Sequence, residues 1–177
     1  MELEKARAIA EQIKAVLESS CERIQIAGSI RRQKPDVGDI ELLCIPKYIA
    51  GVDMLDAKIQ TLIYFDMLGY RLNKLGSKVY GAKNKLLVHL PSGIGVDIFS
   101  TDKQCWPVSL VVRTGGKSTN KEIATRALER GMRFRAYGDG FDTPHGFDTP
   151  HGHLQCKSER EVFQAVGLRY LEPEERR

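Results

Sequence analysis

Two short stretches in which acidic and apolar residues alternate place the strongest constraint on this fold. Residues 38–42 read Gly-Asp-Ile-Glu-Leu, and residues 96–98 read Val-Asp-Ile. Alternation with a period of two is typical of a β-strand that has one polar and one buried face. Asp39 and Glu41 are therefore expected on one face of a strand, about 6.5 Å apart along the chain. Asp97 takes the same kind of position in a second strand.

If these two strands are neighbours, the three carboxylates converge. Like charges a few ångströms apart repel each other, and a pair of divalent cations removes this conflict. Two such ions also support phosphoryl transfer, and hard oxygen ligands favour Mg²⁺ over zinc, with Mn²⁺ as a substitute. The alternative is that Asp39 and Glu41 form only the solvated face of a half-buried strand.

The segment before the first acidic strand favours the phosphoryl-transfer interpretation. A short strand is predicted over residues 23–27, and it ends at Gly28 and Ser29, with Arg31 and Arg32 following. A turn of this kind offers backbone N–H groups and a hydroxyl to phosphates, and an arginine can neutralise their charge. Glycine allows a triphosphate to approach the backbone closely.

The rest of the chain indicates an α+β protein with two parts. Apolar residues spaced by three and four predict helices over 3–17 and 55–67, the second ending before Gly69, and strands 85–90 and 94–99 form a predicted hairpin. Shorter helices are predicted over 103–112 and 117–130, and a third is opened by a Ser158 capping box and ended by Gly167. We place the boundary near residues 102–104, which gives domains 1–103 and 104–177.

The charge is concentrated in the second part. The net charge is +4, but residues 113–135 hold seven basic and two acidic residues, or +5, which leaves −1 for the remainder. A basic segment on a near-neutral body is typical of a lobe that binds a polyanion. A solvated helix face explains the same charges equally well.

Three other features are less informative. Four scattered cysteines are expected to be reduced packing residues, and the charged N-terminus, without a signal-peptide core, favours an intracellular protein with no membrane segment. The hexapeptide Phe-Asp-Thr-Pro-His-Gly occurs at 141–146 and again at 147–152, which indicates a duplicated surface loop. Its His145 and His151, together with His153, are a weak candidate for a metal site.

Taken in combination, these motifs resemble the polymerase-beta-type nucleotidyltransferases, and among them the family X DNA polymerases. The first part matches through Gly28-Ser29, Arg31-Arg32, Asp39, Glu41 and Asp97. The second part resembles the thumb through Arg113-Thr-Gly-Gly, Asn120-Lys121, residues 126–131, Tyr137 and residues 158–176. The resemblance spans the whole chain. It implies a catalytic palm, with a mixed β-sheet covered by helices on one face, and a small thumb of helices and short strands.

The resemblance also implies roles for individual residues. Asp39, Glu41 and Asp97 would bind Mg²⁺, and Asp97 would also activate the primer 3′-hydroxyl. The incoming nucleotide would meet Gly28, Ser29, Arg32, Arg113, Gly115 and Asn120. DNA would meet Lys117, Lys121 and Arg126, with Lys121 at the templating base.

Several positions depart from the family pattern. Glu41 stands where aspartate is usual, and Val112 and Arg113 replace two aromatic residues that help to exclude ribonucleotides, so sugar choice between dNTP and NTP stays open. Gly95 and Phe99 stand where basic residues often flank the third carboxylate, which predicts a weaker grip on the primer strand. The short chain resembles reduced members of the family found in some viruses.

The sequence therefore predicts a monomeric, template-directed DNA polymerase that fills short gaps in DNA repair, in the cytoplasm or in an infected host cell. One alternative is a template-independent nucleotidyltransferase that acts on RNA, DNA ends or a small acceptor. Another is a catalytically inactive nucleic-acid-binding protein.

Overall fold

The computed structural model describes residues 1–144 and 152–177. The chain divides into two compact units, Met1–Asp102 and Lys103–Arg177. Within the described residues, no helix combines the length and apolar character needed to cross a membrane. The elements of the first unit are α1 (Leu3–Leu17), β1 (Cys21–Ile26), α2 (Gly28–Arg31), β2 (Asp39–Pro46), β3 (Tyr48–Ile49), β4 (Val52–Asp53), α3 (Met54–Tyr64), β5 (Leu68–Tyr70), β6 (Asn84–His89) and β7 (Gly95–Ser100).

The first unit is built on a five-stranded sheet with the order β1-β2-β7-β6-β5. β2 and β7 are parallel, and the other neighbouring pairs are antiparallel. Helices α1 and α3 contribute Ala10, Leu17 and Ile59 to one core with Leu42 and Ile98 of the sheet. The predicted mixed α+β class and the predicted hairpin of β6 and β7 are confirmed.

Two local predictions in this unit are wrong. The apolar spacing over 3–17 predicts that Val16 lies on the buried face of α1, but it is 42% exposed because the buried stripe runs through Ala6, Ala10, Ile13 and Leu17. Helix α3 ends at Tyr64 rather than near residue 67, because the chain turns at Asp66, which has a φ of 54°. Gly69 therefore does not end the helix and instead lies inside β5.

The described residues of the second unit form three α-helices and a small sheet. Its elements are α4 (Trp106–Thr114), α5 (Lys117–Glu129), β8 (Arg133–Phe134), β9 (Gly140–Asp142), β10 (His153–Gln155) and α6 (Glu159–Ala165), with sheet order β10-β9-β8. Helix α4 begins at Trp106, three residues later than predicted, because Pro107 fits the first helical turn. The Ser158 side chain caps α6 by accepting a hydrogen bond from the Glu161 N–H at 3.1 Å, and Gly167 follows with a φ of 68°.

The structure also bears on the cysteines, which are expected to be reduced, and on the three histidines of the weak metal-site candidate. All four cysteines are free thiols, and Cys21, Cys44 and Cys156 are buried. His145 and His151 lie outside the described residues. His153 places Nε2 2.7 Å from the Asp139 carboxylate and Nδ1 3.6 Å from that of Asp142.

Candidate active site

The parallel pairing of β2 and β7 brings the predicted carboxylates to one face of the sheet. Glu41 lies opposite Asp97, and Asp39 lies opposite Gly95. The residues between them point the other way, and Ile40, Val96 and their apolar neighbours are fully buried in the core. The face is therefore set by burial, because shifting either strand by one residue would expose the apolar set and bury the acids.

An arginine that was not predicted as a site residue joins two of these carboxylates. Arg71 follows β5 directly, and its Nη1 donates to Asp39 Oδ1 at 2.8 Å while its Nη2 donates to Asp97 Oδ1. Gly95 makes room for this contact, because a Cβ there would overlap both the Arg71 guanidinium and the Asp39 carboxylate. The strand face therefore carries a fixed positive charge among its acids.

One signal in the sequence could have drawn attention to this region. Residues 71–85, here called the basic segment, hold five basic residues and no acidic residue. Lys85 is 2% exposed, and its Nζ donates to the Gly81 carbonyl at 2.9 Å. Lys74, Lys78 and Lys83 are exposed, and Lys78 Nζ lies 3.3 Å from the centre of the Tyr70 ring. The count indicates a cationic loop, but it does not indicate that Arg71 reaches Asp39.

The Gly28 turn lies directly against the third carboxylate. Gly28 has a φ of 59°, and a Cβ at this position would overlap the Glu41 carboxylate. The turn is held to β2 by the Ala27 N–H, which donates to the Glu41 carbonyl at 2.8 Å, and the Arg32 N–H closes it on the Gly28 carbonyl at 3.1 Å. Ser29 and Arg32 are half-buried on this turn. The predicted phosphate-binding turn and the predicted metal-binding strand are thus neighbours.

The chemistry of this donor set fits a divalent cation. Three carboxylates share one strand face, and their oxygens are the ligands that Mg²⁺ and Mn²⁺ prefer. Within the described ranges, however, no three His, Cys, Asp or Glu side chains are arranged as a metal-binding group. Arg71 is one reason that Asp39 and Asp97 do not form such a group, because its guanidinium lies between the two carboxylates.

In the second unit, the predicted nucleotide-binding residues lie around the junction of α4 and α5. Gly115 ends α4 with a φ of 73°. The Asn120 side chain donates from Nδ2 to the Val112 carbonyl at 2.9 Å, which ties the start of α5 to the last turn of α4. The Arg113 guanidinium lies 5.8 Å from the centre of the exposed Tyr137 ring.

The predicted DNA-binding residues lie along α5 but do not share one face. Lys117 and Lys121 are exposed and one turn apart. Arg126 lies about 140° around the helix from Lys121, given 3.6 residues per turn, and its Nε donates to Glu122 Oε1 at 3.0 Å. The uncompensated positive charge of this helix is therefore at its N-terminal end.

Comparison with known proteins gives one match within the second unit and one for the fold of the whole chain. Residues 109–177 match the family model of the DNA polymerase beta thumb. The crystal structure of Leishmania infantum polymerase beta in a ternary P/T complex is similar to the whole chain, with a TM-score of 0.74 and 18% identity. That similarity covers 100% of this chain and 76% of the other. Among curated proteins none matches in sequence. Residues 109–177 thus resemble the polymerase beta thumb, and the chain as a whole shares the fold of the Leishmania infantum polymerase beta structure.

Proposed function

We propose that the chain is a nucleotidyltransferase that extends a DNA 3′-hydroxyl under the direction of a template and acts on short gaps. One observation carries this proposal: the β2–β7 register puts Asp39, Glu41 and Asp97 on one strand face, with the Gly28 turn against Glu41. This arrangement combines oxygen ligands for cations with backbone that a phosphate can approach. Structural carboxylates on a solvated strand would have no need of such a turn.

The three carboxylates have distinct roles in this proposal. Asp39, Glu41 and Asp97 would hold Mg²⁺ or Mn²⁺. When bound, these ions stabilise the charge that develops on the attacking and leaving oxygens of the phosphoryl group. The Asp97 carboxylate would accept the proton of the 3′-hydroxyl, and its side chain is 14% exposed, so few water molecules compete for that position. The longer side chain of Glu41 keeps its oxygen against Gly28.

In this proposal each unit contributes its own positive charge and backbone groups to substrate binding. In the first unit, Ser29 and Arg32 would bind the triphosphate beside Gly28. The thumb would contribute Arg113, Gly115 and Asn120 to the nucleotide, and Lys117, Lys121 and Arg126 to DNA. The exposed lysines of the basic segment add charge that suits DNA phosphates. The P/T complex of the structural neighbour supports a primer–template substrate over a small acceptor.

A gapped DNA duplex tests this function. The substrate has a one-nucleotide gap, and each dNTP is supplied singly in Mg²⁺. We expect the complementary nucleotide to be added at least about 100-fold faster than the others. This ratio corresponds to a difference of a few kcal/mol between the transition states for the complementary and the other nucleotides. Single-turnover primer extension measures the rates. Addition that ignores the templating base would favour the template-independent transferase. Duplex binding without addition in Mg²⁺ or Mn²⁺ would favour the inactive binding protein.

Sugar choice gives a second test, centred on Arg113. A guanidinium can donate a hydrogen bond to a ribose 2′-hydroxyl, whereas an aromatic ring at this position excludes it. We expect Arg113→Phe to raise the ratio of dNTP to NTP incorporation about tenfold, because a hydrogen bond to a charged group contributes about 1.5–3 kcal/mol. Arg133→Met is the matched control, since Arg133 is exposed in the same unit and its loss changes the charge equally. If Arg113→Phe and Arg133→Met had the same ratio of dNTP to NTP incorporation, Arg113 would have no role in sugar selection.

A further inference from the structure

Arg71 occupies an unusual position for a surface arginine. Its guanidinium bridges two carboxylates from different strands, Asp39 on β2 and Asp97 on β7. Its backbone is fixed beside the sheet, because the Arg71 N–H donates to the Leu86 carbonyl at 3.2 Å. The side chain therefore projects over the strand face from an anchored position.

The surroundings strengthen this contact beyond that of an ordinary surface ion pair. The Arg71 side chain is 29% exposed and that of Asp97 is 14% exposed, so water screens the charges only partly. One guanidinium makes two charge-assisted hydrogen bonds, which fixes its orientation as well as its charge. Gly95 beneath it has no side chain that could displace it. The two carboxylates are thus compensated by a cation that belongs to the chain itself.

We propose that Arg71 is a tethered counter-cation that competes with divalent metal ions for Asp39 and Asp97, so that metal binding requires its guanidinium to swing away. This inference rests on the proposed function only in taking these carboxylates as metal ligands. The guanidinium already uses Oδ1 of both Asp39 and Asp97, and it brings like charge to the place where an ion held by these two carboxylates must sit. Binding of the guanidinium therefore opposes binding of the ion at this position.

Competition of this kind lowers the apparent metal affinity by the fraction of molecules in which the site is open. Removing the guanidinium should therefore tighten metal binding, although arginine does not ligate the metal. A merely structural arginine predicts the opposite result, because its loss would disorder the carboxylates and weaken binding. The sign of the change separates the two roles.

The experiment is a Mn²⁺ titration of the full chain, without nucleotide or DNA, followed by electron paramagnetic resonance of the free ion. We expect Arg71→Met to bind Mn²⁺ about 5- to 10-fold more tightly than the unsubstituted chain. Arg71→Lys, which keeps the charge but not the two-pronged contact, should lie between them. Lys74→Met removes the same charge from the same basic segment, and its affinity should change less than about twofold. Equal affinities of Arg71→Met and Lys74→Met, or weaker binding by Arg71→Met, would overturn the proposal.

Two further measurements tie the effect to this site. Adding Asp97→Asn to Arg71→Met should abolish the gain in Mn²⁺ affinity, and its persistence would place the competition elsewhere and overturn the proposal. In EDTA, Arg71→Met should melt at a lower temperature than the unsubstituted chain. Adding Mg²⁺ should raise the melting temperature of Arg71→Met by more than it raises that of the unsubstituted chain. The reverse order would also contradict competition.

Failure of this proposal can be distinguished from failure of the proposed enzymatic function. If the Arg71 variants change Mn²⁺ affinity as expected but no variant adds nucleotides to a gapped duplex, the competition holds and the polymerase proposal fails. If the unsubstituted chain fills gaps and its Mn²⁺ affinity does not depend on Arg71, the polymerase proposal holds and the competition fails.

Discussion

Replacing Asp97 by asparagine should reduce the rate of nucleotide addition by about 10³-fold or more. The change removes a carboxylate that is proposed both to hold the metal ion and to accept the 3′-hydroxyl proton. Each contributes to a transition state in which metal coordination alone supplies several kcal/mol, and about 4 kcal/mol corresponds to 10³ in rate. Single-turnover extension of a gapped duplex in saturating Mg²⁺ measures the loss.

The design of this variant separates chemistry from folding. Asparagine keeps the size of Asp97 and an oxygen that can still accept from Arg71. Unlike the buried Arg176, Arg71 is 29% exposed and keeps a second carboxylate partner in Asp39, so we expect the melting temperature to change little. Asp36→Asn is the matched control, because Asp36 is exposed in the segment before β2 and the change removes the same charge. Its rate should stay within about twofold of the unsubstituted chain. If Asp97→Asn kept more than a tenth of the activity, Asp97 would not be the general base or an essential metal ligand.

The strands of the candidate site could be predicted because their periodicity records their burial. Asp39 and Glu41 alternate with residues that fill the core, so one face had to be polar. The pairing of Glu41 with Asp97 could only be stated as a condition, because nothing within either strand specifies its neighbour. That choice is made by the whole sheet, in which β7 lies between β2 and β6.

Arg71 shows why the remainder of the site was missed. It follows β5, whose three residues, Leu-Gly-Tyr, carry no strand periodicity, and the preceding helix was predicted to run almost to that point. Its partners are 32 and 26 residues away in sequence. A charge count identifies the basic segment, but contacts over such separations depend on the packing of the sheet.

Arg176 was missed for a related reason. The segment after Leu171 reads Glu-Pro-Glu-Glu-Arg-Arg, which is typical of an exposed tail. In the structure Arg176 is fully buried, whereas the adjacent Arg177 is exposed. Its Nη1 donates to Glu159 Oε1 at 2.9 Å and its Nε donates to the Leu171 carbonyl at 3.0 Å. Two adjacent arginines with opposite environments cannot be told apart by composition.

This buried ion pair leads to the largest expected effect on stability. Glu159→Gln leaves the Arg176 charge in the thumb interior with only neutral acceptors, the Leu171 carbonyl and the Tyr170 hydroxyl. Breaking one side of a buried pair costs about 3–5 kcal/mol. The Glu159 side chain is 13% exposed, so some water can reach the pair, and we expect a loss at the lower end, about 3 kcal/mol.

Urea unfolding followed by the fluorescence of Trp106 measures this loss in the thumb, because Trp106 is the single tryptophan of the chain and is buried in that unit. Glu174→Gln is the matched control, since Glu174 is exposed in the same C-terminal segment, and its unfolding free energy should change by less than about 0.5 kcal/mol. Replacing both partners by apolar residues, Glu159→Leu with Arg176→Met, should recover most of the loss, because no unpaired charge is then buried. If Glu159→Gln unfolded at the same urea concentration as Glu174→Gln, the pair would contribute nothing, and Arg176 would be held instead by its carbonyl and ring contacts.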